Sequence, residues 1–354
     1  MDLTLRRAAG CWLLAAGLAA GLATPAHAQA PAPADEGYAL GQGLALGDSG
    51  VRLGGYANLD WENATDEIAT LAFDDLSLFV FGDLGARVRF FVEVEDAHFW
   101  QVDSRGDAVL RHNGDLERLY VDYLWRDGLK LRAGKFLTPV GTWNEIHADP
   151  LTWTVSRPVA SYATFPAFTT GVEAFGTWSS DARDVEYNVF VQGNEALDNS
   201  TGDRRTERMV GGRVRVRQGA VEIGAPLVHY VERDTGDRVT FSGLDLVART
   251  GPVEIRAEAT AGRVTARAGG AGRAEYAGYL QAVWAVGSRW YLVARQEAGR
   301  SREDLRLTAT SAGVLFRPVP AIALKLEIQG RSGRFLPTET ATGGRVFAGF
   351  GILF

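Results

Sequence analysis

Cysteine is nearly absent from this chain, because its 354 residues contain only Cys11. That residue lies in an N-terminal segment with two early arginines, an apolar stretch that ends near Ala23, and Ala-His-Ala at residues 26–28. This pattern is typical of a cleaved secretory signal peptide, so we predict that residues 1–28 are removed. The mature chain then has no cysteine, which excludes disulfide scaffolds, thiol catalysis and cysteine-ligated metal sites.

Long apolar runs and an excess of positive charge are also lacking. After residue 28 no run of about 18 apolar residues occurs, so we expect no membrane-spanning helix. The full chain has 37 Lys and Arg against 43 Asp and Glu, a net charge of -6. Nucleic-acid binders gain affinity by neutralising phosphates. The charge balance therefore argues against a nucleic-acid partner.

Alternation of apolar and polar side chains is the dominant pattern after residue 50, and a period of two predicts β-strands. In segment 116–126, for example, Leu119, Val121 and Tyr123 share one face, and the turn Asp127-Gly128 leads into the next strand. An even strand number is typical of single-chain bacterial outer-membrane barrels. The sixteen predicted strands lie near residues 51–59, 71–81, 86–96, 116–126, 129–136, 169–179, 184–193, 207–217, 220–232, 238–249, 253–262, 273–286, 289–298, 305–316, 321–331 and 345–354.

The connections between these strands alternate between short and long. Outer-membrane barrels have short periplasmic turns and long outer loops, so both termini are placed at the periplasm. We predict an all-β fold over residues 51–354: a transmembrane antiparallel β-barrel of about 16 strands in the cell outer membrane of a Gram-negative bacterium, in contact with its lipid and lipopolysaccharide. Residues 29–50 are predicted to be a periplasmic linker. Asp74-Asp75 and Pro226 interrupt the alternation and indicate β-bulges.

Aromatic residues support the same orientation. Barrels carry aromatic girdles at both membrane interfaces, and the tryptophans at predicted strand ends are Trp61, Trp100, Trp125, Trp178, Trp284 and Trp290. In the last strand, apolar residues alternate from Val346 to the terminal Phe354. This strand resembles the terminal signal read by the barrel-assembly machinery, which is a predicted partner.

The inward faces of the strands are the expected place for function, because a barrel with apolar side chains towards lipid has a polar interior. The predicted pore-lining residues are Arg87, Arg89, Glu93, Arg132, Arg213, Arg215, Arg217 and Arg256. Further inward positions are Glu95, Lys130, Glu254, Glu258, Lys325 and Glu327. The ladder Arg213, Arg215 and Arg217 could pass anions along successive hydrogen bonds. Alternatively, it could pair across the lumen with Glu93, Glu95, Glu254 or Glu258.

Two segments carry a family resemblance. Residues 116–123, Leu-Glu-Arg-Leu-Tyr-Val-Asp-Tyr, and residues 131–141, Leu-Arg-Ala-Gly-Lys-Phe-Leu-Thr-Pro-Val-Gly, resemble the strand-to-loop segment of phosphate-selective porin O/P-like proteins. Residues 53–57 are similar to that family too. The resemblance implies a diffusion channel, commonly trimeric, for small hydrophilic or anionic solutes. No lysine cluster follows Phe136, so only the pore role is carried over.

The longest connection, residues 137–168, is the third outer loop. It contains four prolines, which predict a fixed shape. In porins the third loop folds inward and narrows the channel. The resemblance therefore implies a pore constriction formed by Glu145, His147, Asp149 and Arg157.

Two other classes of function compete with a channel. An outer-membrane enzyme needs a nucleophile or activated water beside a histidine or paired acids. His147 with Glu145 and Asp149 could be drawn as such a base or as a weak metal site, but no recognised serine motif accompanies it. A plugged, structural or adhesive barrel is the second alternative, although sixteen strands leave room for an aqueous channel. We predict a channel, with no catalytic residues, no metal and no cofactor.

Overall fold

A computed structural model describes residues 37–111, 114–193, 204–269, 272–339 and 342–354. The predicted signal peptide, residues 1–28, lies outside these ranges, as do residues 29–36 of the predicted linker. No helix in the described ranges is both long enough and apolar enough to cross a membrane.

Antiparallel strands make up most of the described chain. They are β1 (Tyr38–Ala39), β2 (Gly43–Ala45), β3 (Val51–Ala64), β4 (Thr70–Leu84), β5 (Val88–Asp103), β6 (Ala108–Leu110), β7 (Gly114–Arg126), β8 (Leu129–Leu137), β9 (Phe168–Ser179), β10 (Asp184–Gln192), β11 (Thr206–Gln218), β12 (Val221–Glu232), β13 (Arg238–Thr250), β14 (Val253–Thr265), β15 (Arg273–Ala285), β16 (Trp290–Arg300), β17 (Arg306–Phe316), β18 (Ile322–Gly333) and β19 (Thr342–Leu353). The helical elements are α1 (Trp143–Ile146) and 3-10 turns at Gly47–Ser49, Asp149–Leu151 and Val159–Ser161.

Sixteen of these strands close into a barrel, and the predicted fold class is confirmed. Each of β3, β4, β5 and β7 to β19 pairs with its neighbours, and β19 returns to pair with β3. The closure extends to the C-terminal residue, since Gly55 and Phe354 exchange two backbone hydrogen bonds of 2.9 Å. The three remaining strands are short: β1 and β2 pair with each other within the predicted linker, β2 also pairs with β3, and β6 pairs with β5.

The connections differ at the two ends of the barrel, as the sequence predicts. One end has tight turns such as residues 127–128 and 251–252, and both the start of β3 and the end of β19 lie there. The other end carries the longer connections, including residues 138–167, which we call loop 3. Four tryptophans stand exposed at the tight-turn end, in strands β7, β9, β15 and β16: Trp125, Trp178, Trp284 and Trp290.

Side chains alternate between the two faces of the wall. On β7, Val121 is 46% exposed while its neighbour Asp122 is 4% exposed. The register of β4 against β5 shifts between Phe73 and Asp75, so a bulge lies at Asp74 as expected. The bulge expected at Pro226 is wrong. The β12–β13 ladder omits that residue but keeps one register on both sides, because a missing N–H removes a bond without adding a residue.

Replacing Gly55 with alanine should destabilise the barrel at its closure. A Cβ at this position would lie 2.2 Å from the Ser77 carbonyl oxygen and 2.8 Å from the Phe354 ring. Overpacking of this kind costs about 1–3 kcal/mol, so the unfolding midpoint in urea, followed by gel mobility, should fall. Gly330→Ala is the matched control, since a Cβ there meets nothing within 4 Å. An equal effect in both variants would contradict the closure contact.

Candidate functional site in the barrel interior

Loop 3 folds into the barrel and is closed at its base. The backbone N–H of Thr138 donates to the carbonyl of Ala167 at 2.8 Å. The side-chain amide of Asn144 donates to the carbonyls of both Thr138 and Ala167, at 2.9 and 3.1 Å. Asn144 is fully buried, so this amide ties α1 to the two ends of the loop.

A buried carboxylate on β14 holds the first half of loop 3. Glu258 accepts the backbone N–H groups of Thr142 and Trp143, each at 2.9 Å. It also accepts the hydroxyls of Thr142 at 2.7 Å and Tyr279 at 2.8 Å. Hydrogen bonds to a charged acceptor are stronger than neutral ones, so Glu258 fixes the start of α1 against the wall.

Two carboxylates on β16 and β18 hold the second half of the loop. Glu327 accepts the backbone N–H groups of Val155 and Ser156 at 3.0 Å and the Ser156 hydroxyl at 2.6 Å. Glu297 accepts the backbone N–H of Val159 at 2.9 Å. In the contacts with these carboxylates, the loop contributes the donors and the wall contributes the acceptors.

Two wall cations satisfy the carbonyl and hydroxyl groups of the same stretch. Lys325 donates to the Asp149 carbonyl and the Thr152 hydroxyl at 2.7 Å each, and to the Thr154 carbonyl at 3.1 Å. Arg295 donates to the Thr154 hydroxyl at 2.7 Å and the Ser156 carbonyl at 2.9 Å. These bonds give residues 149–156 one defined conformation.

Apolar contacts fill the interior on the same side of the barrel. One cluster joins the loop residues Val140 and Phe165 to wall residues of β8 and β10 to β14. A second joins Trp143, Val159 and Ala160 to residues of β15 and β17. Close packing excludes water from the space that these two clusters fill.

Two cavities that share lining residues lie beside loop 3. The first, of about 400 Å³, lies between loop 3 and strands β3, β4, β5 and β7. The second, also of about 400 Å³, reaches towards the outer residues Arg331 and Glu339. They share the lining residues Ser156, Arg157, Tyr162 and Phe347, and we call the pair the passage.

The structure separates the four predicted constriction residues. His147, Asp149 and Arg157 line the passage, whereas Glu145 contacts Arg213 at 2.7 Å and also pairs with Arg215. The nearest carboxylate of β7 to His147 is Glu117, with 3.8 Å between Nε2 and Oε2. Among the described residues, no hydrogen bond or ion pair within 4 Å joins His147 to Glu145 or Asp149, so the base-and-acid arrangement weighed for an enzyme is not formed.

Burial governs the protonation of the two titratable loop residues in the passage. It lowers the pKa of His147 well below 6.5, and the charges of Arg118, Arg157 and Lys135 act in the same direction. The imidazole is thus neutral at pH 7. Burial raises the pKa of Asp149 from 3.8 to about 6, opposed by Lys325 and supported by the neighbouring Asp74.

The ladder of Arg213, Arg215 and Arg217 pairs with carboxylates, which is one of the two alternatives weighed from the sequence. The carboxylates that pair with it differ from the expected ones. Arg213 bonds Asp245 at 2.5 Å and Glu145 at 2.7 Å. Arg215 pairs with Glu145 and lies 3.3 Å from Glu222, which also bonds Arg217 at 2.9 Å. The carboxylates named for this pairing are engaged elsewhere: Glu93 with Arg118, Glu95 with Tyr56 and Ser77, Glu254 with Arg249 and Arg256, and Glu258 with loop 3.

The other predicted pore-lining residues lie in varied places. Arg132 bonds Asp122 at 2.7 Å, and Arg256 is buried beside Glu254. Arg89 is exposed at the tight-turn rim, where it bonds Asp83 at 3.0 Å. Arg87 lies in the turn between β4 and β5 rather than on an inward strand face, because β5 begins one residue after it.

Sequence reasoning missed the acidic residues of β3 and β4 that line the passage. They are Asp60, Glu62, Asp74 and Asp75. Asp74 and Asp75 are adjacent, and strict alternation would place only one of them inward. The bulge at Asp74 could have signalled this, since an extra residue lets two neighbours face one side.

Comparisons with known proteins agree with the fold. No protein-family model matches the sequence. An uncharacterized protein of Aquifex aeolicus (strain VF5) is 32% identical over 111 residues, which is 31% of this chain and only 24% of that protein.

Among solved structures, the chain resembles an anion-selective porin from Comamonas acidovorans (TM-score 0.63, 13% identity, 86% of this chain and 99% of that one). It also resembles OmpF of Salmonella typhi, solved in complex with daunomycin (0.62, 10%, 86% and 97%), and outer-membrane expressed OmpT of Vibrio cholerae (0.61, 12%, 86% and 97%). The chain therefore has the sixteen-stranded porin fold. The narrower resemblance to phosphate-selective porin-like proteins stays a prediction.

Replacing Glu258 with alanine should free the first half of loop 3. The change leaves buried donors of Thr142, Trp143 and Tyr279 without their acceptor. Unsatisfied buried donors cost about 1–3 kcal/mol each, so amide exchange over residues 138–146 should quicken by about tenfold to a hundredfold. Hydrogen exchange with mass spectrometry measures this. Glu303→Ala, an exposed outer-loop change, should leave those amides unaffected, and equal exchange in the two variants would refute the anchor.

Glu339 should make the outer connection after β18 sensitive to acid. Burial favours the neutral form, but hydrogen bonds from the backbone of Leu336 and Phe335 and the charge of Arg331 outweigh it and hold the pKa below 4.5. The stabilisation is therefore complete above pH 4.5 and is lost as the pH falls through the lower, folded-state pKa. Exchange of residues 334–339, corrected for intrinsic rates, should rise in that window. Glu339→Gln should abolish the pH dependence; its persistence there would point to another group.

Proposed function

We propose that the protein is an outer-membrane porin, a water-filled channel for passive diffusion of small hydrophilic solutes. The observation that carries this proposal is the passage, which runs beside a fixed inward loop in a barrel of sixteen strands. Barrels of this size leave an aqueous channel when side chains do not fill them. The family resemblance implies hydrophilic or anionic solutes, and the first cavity of the passage, where carboxylates outnumber cations, does not support the anionic alternative.

The exposed surface of the barrel supports the proposed location of this channel in an outer membrane. Exposed apolar side chains and the rim of tryptophans suit outer-membrane lipid and lipopolysaccharide. Export requires cleavage of residues 1–28, and the strand that ends at Phe354 is the segment offered to the barrel-assembly machinery. A homotrimer in a Gram-negative outer membrane completes the proposal; one of the similar solved structures, OmpT of Vibrio cholerae, is described as a trimer form.

Catalysis has no place in the proposal, because the arrangement weighed for an enzyme is not formed. The imidazole of His147 lies 3.8 Å from Glu117, and Glu145 pairs with two arginines. A plugged barrel is the alternative that a specific observation favours. Loop 3 is clamped by buried hydrogen bonds and apolar packing over one side of the lumen.

Single-channel recording in a planar bilayer separates these two functions. Residues 29–354, folded in detergent and added to the bilayer, should give stable current steps, because the proposed channel lets hydrated ions cross the barrel. Steps in triplets would support a trimer. The same preparation after heat denaturation is the control. A bilayer that stays silent with correctly folded protein would exclude the open channel and favour the plugged barrel.

A further inference from the structure

The passage has a strongly unequal charge. Seven carboxylates line its first cavity, while Arg157 is the one Lys or Arg side chain in that lining. The neighbouring His147 is held neutral by burial. The ionisable groups in the lining of this cavity are therefore predominantly acidic.

The second cavity adds Arg331 and Arg345, but each of them pairs with a carboxylate: Arg331 with Glu339, and Arg345 with Glu62 at 3.1 Å. Other arginines of the lumen are paired as well. Arg213 and Arg132 each bond a carboxylate at 2.7 Å or less, and Arg256 bonds Glu254 at 2.8 Å. Arg295 is buried under loop 3 and bonds loop oxygens. A cation within bonding distance of a carboxylate presents a dipole rather than a full charge to a passing ion.

Three carboxylates from three separate elements converge in the first cavity. Asp60 on β3, Asp74 in the bulge of β4 and Asp149 in loop 3 each place an oxygen within 4.8 Å of the other two. His98 bonds Asp74 at 2.9 Å. Lys325 lies on β18, and its ammonium donates to the backbone carbonyl of Asp149.

Asp149 gives an independent indication that this cluster faces a ligand. The residue is only 8% exposed, and its backbone carbonyl accepts hydrogen bonds from the Thr152 hydroxyl and the Lys325 ammonium. Across the described ranges, its carboxylate accepts no hydrogen bond and forms no ion pair within 4 Å. A buried carboxylate without such a partner is costly, and a cation entering the cavity would supply the partner.

We propose that the passage conducts cations in preference to anions, and that Asp60, Asp74 and Asp149 form the site where a permeating cation is held. The inference rests on the proposed channel function and deepens it by naming the class of solute. Rings of acidic side chains give cation selectivity in channels. Here the acidic side is formed by the wall of β3 and β4, and loop 3 supplies the third carboxylate.

The reversal potential under a potassium chloride gradient tests the proposal. The unmodified channel should reverse towards the potassium equilibrium potential. Asp60→Asn, Asp74→Asn and Asp149→Asn keep side-chain shape and replace one ionisable carboxyl group each. Each should lower the cation-to-anion permeability ratio by about twofold to fivefold, as one charge at about 4 Å in water contributes about 1 kcal/mol. Glu303→Gln, which removes one charge from an exposed outer loop, is the matched control and should leave the ratio within error.

The outcomes separate this inference from the channel function itself. Conductance with reversal towards the chloride potential keeps the porin and overturns cation preference. A cation-selective channel that responds to none of the three variants overturns the site. A silent bilayer overturns the channel, and equilibrium dialysis with calcium on the detergent-folded protein then decides the site. Calcium bound by the unmodified protein and lost in Asp149→Asn supports the three-carboxylate site, whereas no bound calcium refutes it.

Discussion

The interior depends on hydrogen bonds between wall carboxylates and the backbone of loop 3. A loop that enters a barrel must satisfy its N–H and C=O groups without regular secondary structure. Glu258, Glu297 and Glu327 accept hydrogen bonds from N–H groups of the loop. Lys325 and Arg295 donate to its oxygens. Each of these five side chains is buried, where an unpaired charge would be strongly destabilising. The pairing therefore fixes both the loop and the side of the lumen that stays open.

The alternation of side chains that makes the strands predictable also hides part of the site. Period two, turn residues and alternating loop lengths are local signals, so all sixteen barrel strands and the position of loop 3 follow from the sequence. A bulge breaks the parity at one position, and Asp74 and Asp75 consequently both line the passage. Arg87 was misplaced for a similar reason, because strand ends are decided by turn geometry rather than by alternation.

Pairing partners could not be predicted, because they are distant in sequence. Glu145 reaches Arg213 and Arg215 from loop 3, across some 70 residues of chain, and no local pattern encodes that contact. Parity correctly placed Glu258, Lys325 and Glu327 inward but could not show that their partners are backbone groups of the loop. The cluster of Asp60, Asp74 and Asp149 joins three elements, so it exists only once the barrel has closed and the loop has entered.

In the lumen, the electric field of a bonded ion pair and that of a single charge extend over different distances. The field of a bonded ion pair, such as Arg213 with Asp245, falls off faster with distance than that of a single charge, and salt screens both beyond about 8–10 Å. A ladder of paired arginines is thus felt only by ions that displace a carboxylate from it. Carboxylates gathered on one side of a narrow passage add their fields where the ion must go. The number of arginines is therefore a poor guide to the selectivity of the proposed channel, which we expect to depend on the positions of the carboxylates that lack a cationic partner.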